Sequence, residues 1–292
     1  MFGSRENNPA SAFKMCPNCR ALIDRGASVC PMCGAAARPA RRRRSSDGES
    51  TKILGVIPIP GTATALLITV NIAMFGISWY LSQVAASNVA GSSSGFGDIS
   101  TAVLVHLGAK YGPYMVNRGE WWRLVTAMFL HAGIFHIGMN LWCLVDLGPM
   151  VESMFTKTKF IVMYLATGVF GFMLSFWWSF GGVSIGASGA ILGLVGVLIG
   201  ASFHHGGLGK AYRGQLWRWV IYIFIFGIFF AIDNAAHLGG LASGFLLGYF
   251  VPEGEPETRQ SELLWDSLSI LSVLVIAGSF ALMAMQLNQP LQ

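Results

Sequence analysis

The sequence predicts an all-α fold: a polytopic membrane helix bundle carrying a small N-terminal zinc ribbon. Three observations predict it. Of the 292 residues, 53% are hydrophobic and 11% are charged, whereas soluble domains carry about 25% charged residues. Beyond residue 60 the chain is a series of apolar stretches, each near the roughly 20 residues a helix needs to cross a bilayer. Lys and Arg are also unevenly divided between the connecting loops, as membrane orientation requires. Together these exclude a soluble globular enzyme.

Residues 1–13 read as a disordered N-terminus. The first fifty residues hold no apolar core of signal-peptide length, so the N-terminus is expected in the cytoplasm. Residues 14–36 contain Cys16-Pro17-Asn18-Cys19 and Cys30-Pro31-Met32-Cys33-Gly34. Each CxxC presents two thiolates from one tight turn, and two such turns give the four-thiolate set that tetrahedral zinc uses. A pair of disulfides is the alternative, and a reducing compartment disfavours it. A segment this short needs a metal to hold it together. The fifth cysteine, Cys143, sits in an apolar stretch and reads as packing.

Residues 37–60 form a basic linker. Ten of the 19 Lys and Arg precede residue 53, among them Arg41-Arg42-Arg43-Arg44. Such a run suits nucleic acid. Beside a span it equally suits retention on the inner side and contact with anionic headgroups. The topological reading is adopted, and no nucleic-acid partner is expected.

The predicted spans are 63–81, 134–150, 160–180, 188–203, 217–232, 235–251 and 268–285. Residues 82–117, with Gly91-Ser92-Ser93-Ser94-Gly95, form a long outer connection. Residues 118–133 are amphipathic and aromatic (Trp121, Trp122, Phe129) and are expected to lie in the membrane interface. Residues 253–267 are an acidic loop, and 268–292 hold the seventh span and a tail. Lys157 and Lys159, then Lys210, Arg213 and Arg218, fall in loops predicted to be inside. The outer loops 181–187 and 233–234 have no Lys or Arg.

Ionisable and strongly polar residues within spans are functional candidates by default. His136 and Asn140, four apart, share a helix face in the second span, with His131 just upstream. Ser188 opens the fourth span within Gly186-Ala187-Ser188-Gly189-Ala190. Asp233-Asn234 precede the sixth, which holds His237. All three spans enter from the outer side, so these groups lie at one depth. Ser188 also reads as a small packing residue, and His136 and Asn140 as interhelical glue. Asp233 reads as a helix cap or as a third partner of His237. The chemical reading is more specific. Serine needs a base to become a nucleophile, and His237 is one. His136, Asn140 and the Ser188 amide, at a helix N-terminus, are donors for a tetrahedral oxyanion. Such a set performs acyl transfer, with water completing the cycle. Gly189, Gly193, Gly196 and Gly200 on one span and Gly240, Gly244 and Gly248 on the other permit the close approach this contact needs.

Four segments, Glu120-Trp121-Trp122-Arg123, His131 through His136 to Asn140, Gly186-Ala187-Ser188-Gly189, and Ala236-His237 through Gly240 to Gly244, together resemble the rhomboid family of intramembrane serine proteases, over about residues 60–250. The resemblance implies a six-helix core over 61–252 around a water-filled cavity that opens outward. It implies a Ser188–His237 dyad, not a triad. It implies an oxyanion hole of His136, Asn140 and the Ser188 amide, with Trp122 and Arg123 structural. Substrates would be transmembrane proteins cut near the outer face, at the plasma (cell inner) membrane. Catalysis would need no cofactor, leaving zinc to the N-terminal four-cysteine site. The seventh span resembles the extra C-terminal helix of some members. One departure stands out. Many members place an aromatic residue four positions after the serine, where this chain has Leu192, so orientation of His237 falls to other contacts, with Asn234 the candidate. The rival readings are a catalytically silent rhomboid-like scaffold that binds membrane proteins, and a transporter, which the absence of a visible inverted repeat disfavours.

Overall fold

The computed structural model describes residues 13–16, 22–24, 26–34, 52–53, 57–58, 61–87, 98–229 and 232–287. The chain divides into two compact units, Met1–Thr51 and Lys52–Gln292.

In the first unit, β1 (Phe13–Met15) pairs antiparallel with β2 (Leu22–Asp24), Phe13 facing Asp24. Its buried centre among the described residues is Cys16, Ile23 and Cys30. So small a core cannot offset the entropy of ordering the chain without a cross-link or a metal. The segment read as disordered, 1–13, lies outside the described residues apart from Phe13. So does most of the basic linker, although β3 (Lys52–Ile53) and β4 (Ile57–Pro58) form a small antiparallel pair within it.

In the second unit the helices are α1 (Thr62–Ser87), α2 (Thr101–His106), α3 (Gly112–Asn117), α4 (Arg123–Thr126), α5 (Ile134–Phe155), α6 (Lys157–Trp178), α7 (Ser188–Ala201), α8 (Gly206–Phe229), α9 (Asn234–Phe250) and α10 (Arg259–Gln286). Each predicted span corresponds to one helix. Among the described residues, α1, α5, α6 and α10 are long and apolar enough to cross a membrane. The 14-residue α7 is about 21 Å long at 1.5 Å per residue, against a hydrocarbon core of roughly 30 Å. It does not need that length, because every residue from Gly189 to Ala201 is buried in protein. A helix that meets no lipid is freed from the span-length rule.

Glycine decides how α7 and α9 pack. A Cβ at Gly240, Gly244 or Gly248 would overlap the carbonyl oxygen of Gly189, Gly193 or Val197 respectively. Backbone therefore lies on backbone along the whole crossing. α6 grips α9 from the other side. A Cβ at Gly171 would stand 2.7 Å from the Ala236 carbonyl oxygen, and one at Gly239 2.8 Å from that of Phe170. At one end Lys159 Nζ donates to the carbonyls of Pro252 (2.7 Å) and Gly254 (2.8 Å). At the other, Ser175 Oγ donates to the Asp233 carboxylate. The first turn of α1 is capped from α5: Glu152 accepts from the Ala63 N–H (3.1 Å), the Thr64 N–H (3.0 Å) and Thr64 Oγ1 (2.8 Å). At the far end of α10, Gln286 Nε2 donates to Glu120 Oε1 at 2.5 Å, and Phe280 packs on Phe129 with ring centroids 5.3 Å apart.

Several expectations need correction. Within residues 118–133, Arg123 through His131 are buried in protein, while Arg118, Gly119, Trp121 and Ala132 are exposed. The stretch is built of α4 and a 3-10 turn, Ala127–Phe129, with Phe129 buried against protein. The connection 82–117 contains α2 and α3, with Gly91-Ser92-Ser93-Ser94-Gly95 outside the described residues. α8 starts 11 residues before the predicted 217 and α10 nine before 268. Backbone hydrogen bonding propagates through charged turns that hydropathy reads as loop. Thr258 caps α10, accepting from the Ser261 N–H at 3.2 Å, so a helix occupies the second half of the expected acidic loop.

Candidate active site

Ser188 is the first residue of α7, and its N–H belongs to the opening turn, whose amides have no acceptor within the helix. Gly186 sets the entry. Its φ of 116° is a backbone conformation that glycine adopts freely and other residues avoid. A Cβ there would lie 2.8 Å from His136 Nε2 and 3.7 Å from Ser188 Oγ. The Gly186 N–H donates to the Ala127 carbonyl at 2.9 Å, which ties this loop to the buried 3-10 turn.

His237 lies in the first turn of α9, 2% exposed. Its Nε2 is 2.8 Å from Ser188 Oγ. The glycine-lined crossing of α7 and α9 brings the two together. His237 Nδ1 is buried and has no hydrogen-bond partner among the described residues. Asp233 is occupied elsewhere: one oxygen caps α9 by accepting from the Ala236 N–H at 3.0 Å, and the other accepts from Ser175 Oγ. The cap reading of Asp233 is the one its hydrogen bonds fit. Asn234 does not reach the imidazole either; its Nδ2 donates to the Phe224 carbonyl at 3.4 Å. The ring beside His237 is Phe224 of α8, edge-on at 6.1 Å and 78°. With the buried Leu192 four residues after the serine, an aromatic neighbour comes from a different helix.

The candidate oxyanion donors are arranged unequally. The Ala132 N–H donates to His136 Nδ1 at 3.4 Å, which leaves the proton of the neutral ring on Nε2, the nitrogen beside Gly186. Asn140, largely buried, uses one amide N–H on the His136 carbonyl of its own helix at 2.8 Å and has a second to offer. His131 is fully buried, edge-on to His136 at 5.1 Å.

Within the E-W-W-R segment, Glu120 and Arg123 form a buried clamp. Arg123, 1% exposed, donates from Nε to Glu120 Oε2 at 2.5 Å, and from Nη1 to the carbonyls of Val105 (2.6 Å) and Ala109 (3.0 Å). A buried guanidinium is tolerable only with its donors satisfied; here that fixes the loop before α3. Trp122 lies against the same guanidinium at 4.9 Å.

A cavity of about 980 Å³ reaches His136, lined by the apolar Phe135, Met139, Trp178, Val183 and Ile232 and by the polar Lys110, His136, Ser179, Ser184, Asp233 and Asn234; Ser188 and His237 are not in its lining. Lys110, Ser175, Phe224 and Gln286 were not singled out by sequence. Phe224 is one ring in an apolar run, and Lys110 carries no motif.

In the N-terminal unit, Cys16, Cys30 and Cys33 bring their sulfurs within 4.8 Å of one another. Cys16 Sγ and Cys33 Sγ are 3.7 Å apart. Tetrahedral zinc with bonds of about 2.3 Å spaces its sulfurs about 3.8 Å apart, whereas a disulfide needs about 2.05 Å. The donor set fits a thiophilic metal. Cys19 lies outside the described residues.

A family model described as Rhomboid domain matches residues 118–253. The chain is similar to RHOMBOID-like protein 6, mitochondrial, of Arabidopsis thaliana, 37% identical over 52% of this chain and 50% of that protein. It is similar to rhomboid protease GluP of Bacillus subtilis (strain 168), 38% identical over 51% of this chain and 29% of that protein. A second Bacillus subtilis protein, YdcA, is 34% identical over 46% of this chain and 69% of its own length. The match thus spans half or less of the first two relatives.

Proposed function

The chain belongs to the rhomboid family, and from that premise we propose that it is an intramembrane serine endopeptidase acting through a Ser188–His237 dyad. The observation that carries this reading is the 2.8 Å contact between Ser188 Oγ and His237 Nε2, held by two helices packed backbone to backbone. In the proposed cycle His237 Nε2 takes the Oγ proton as Oγ attacks the scissile carbonyl carbon. The negative charge moves to the carbonyl oxygen, where the Ser188 N–H, His136 Nε2–H and the second amide proton of Asn140 stabilise it. His237 then gives its proton to the leaving amine as the C–N bond breaks. Water, activated by the same imidazole, releases the acyl group from Ser188. No cofactor enters these steps.

The substrates are proposed to be transmembrane proteins cut near the outer membrane face. The apolar wall of the cavity supports an unwound, largely apolar segment as the bound form. The protein is multi-pass, and we place the Ser188 end of the bundle on the extracytoplasmic side of the plasma membrane. Lys157 at the start of α6 and Lys210 in the first turns of α8, toward the opposite end, support that orientation.

A fluorophosphonate probe tests the nucleophile directly. Solubilised protein is expected to be labelled at Ser188, and Ser188→Ala to be blank. An unlabelled but folded wild-type protein would overturn the reading in favour of a silent scaffold.

The N-terminal unit is proposed to hold one zinc ion through Cys16, Cys19, Cys30 and Cys33, apart from catalysis. Chelation, or Cys30→Ser, is expected to release zinc and unfold residues 14–36 while the cleavage rate stays within about twofold. Metal analysis beside a cleavage assay checks this, and a parallel loss of activity would show that the ribbon serves the active site.

A further inference from the structure

Lys110 precedes α3 and is fully buried. Its Nζ donates to three carbonyls, Ser175 at 3.3 Å, Ser179 at 2.8 Å and Gly182 at 3.0 Å. It makes no ion pair among the described residues. Its backbone is tied to the same region, exchanging both hydrogen bonds with Ser184 at 2.9 and 3.0 Å.

We propose that Lys110 is a positioning residue for the Ser188–His237 pair: its ammonium locks the end of α6 and the turn after it in the arrangement that seats the serine against the imidazole. The inference rests on the protease reading above.

Two links run from this one group. Toward the serine, Lys110 holds Gly182 through its side chain and Ser184 through its backbone. Ser184 lies only four residues before Ser188, and Gly186 between them is bonded to Ala127. The loop that presents the nucleophile is therefore held at three successive points. Toward the histidine, the residue that gives Lys110 its carbonyl, Ser175, gives its hydroxyl proton to Asp233, and Asp233 caps the first turn of α9, in which His237 lies. One ammonium thus fixes both strands of the approach.

The charge itself argues for a role beyond stability. The carbonyl end of a helix favours a cation, and the ammonium adds a second donor to the Ser175 and Ser179 carbonyls, which already accept from the Ser179 and Gly182 N–H groups. Water or a neutral donor meets that need more cheaply than a buried lysine whose nearest counter-charge, Asp233 across the cavity, forms no direct ion pair with it. Here Lys110 lines the cavity that also reaches His136 and Asp233.

The test is cleavage of a transmembrane substrate in proteoliposomes by wild type, Lys110→Met and Lys110→Gln. It is run well below each variant's melting temperature, beside the rate of Ser188 labelling. Lys110→Met keeps length and bulk but removes the ammonium, leaving the Ser175 and Ser179 carbonyls only the Ser179 and Gly182 N–H groups. It is expected to lower kcat and labelling roughly 10- to 100-fold, the cost of a displacement of about 1 Å, with KM within about threefold. Lys110→Gln, which keeps two donors, is expected to fall between, and serves alone if the methionine variant does not fold. Wild-type kcat and labelling in a folded Lys110 variant, whatever its melting temperature, would overturn the positioning role while leaving the dyad intact. A wild-type protein with no Ser188-dependent cleavage would overturn both.

Discussion

Ser188→Ala is expected to lower the cleavage rate of a reconstituted transmembrane substrate by roughly 10⁴- to 10⁶-fold. The substitution removes one oxygen and little else. Ser188 begins α7 and contributes its N–H whatever its side chain, so the helix start and the oxyanion donor both survive. The cavity wall of Phe135, Met139, Trp178 and Ile232 is untouched, so KM should stay within about threefold. What is lost is the acceptor of the acyl group, and water cannot replace an oxygen held 2.8 Å from its base. The melting temperature in detergent should stay near the wild-type value, which separates loss of chemistry from loss of fold. Cleavage within about tenfold of wild type would remove Ser188 from the mechanism.

Gly240→Val is expected to have the next largest effect, through geometry alone. The site of the new Cβ is already occupied by the Gly189 carbonyl, and ordinary carbon contacts need about 3.5 Å or more. α7 and α9 must therefore separate, carrying Ser188 and His237 apart, since each lies in the first turn of its helix. Overpacking of this kind costs about 1–3 kcal/mol, occasionally more. The kcat loss should exceed about 100-fold even in the fraction that remains folded. Gly76→Ala on α1 is the control. Nothing lies within 4 Å of its added Cβ, so stability should be unchanged or higher by up to about 1 kcal/mol. A Gly240→Val protein with wild-type melting temperature and cleavage would mean that the close crossing does not set the pair's distance.

How much of this was legible in the sequence depended on contrast. Ser188, His136 and His237 stand out because a polar group in an apolar helix needs a reason. Their common depth followed from the direction of three spans. Lys110 has no such contrast: in a polar connection a lysine reads as solvated, and only the fold brings it beneath the carbonyls of Ser179 and Gly182. Phe224 is hidden for the opposite reason, as one aromatic residue in an apolar run. Position 192 could be seen to lack a ring, but not which helix supplies another. For the stretch from Arg123 to His131, amphipathicity reports that one face is apolar without reporting what covers it. Protein covers it here, with α10 reaching Glu120 through Gln286.

The carboxylate that caps α1 has a consequence for how the protein is made. The acceptor for the Ala63 N–H is 89 residues further along the chain. Synthesis proceeds from the N-terminus, so α1 emerges and enters the bilayer well before Glu152 exists. Until then its opening amides must be met by water or headgroups at the membrane boundary. The docking of α1 is thus a late event that awaits the arrival of α5, and the first helix to be inserted is not the first to be locked in place.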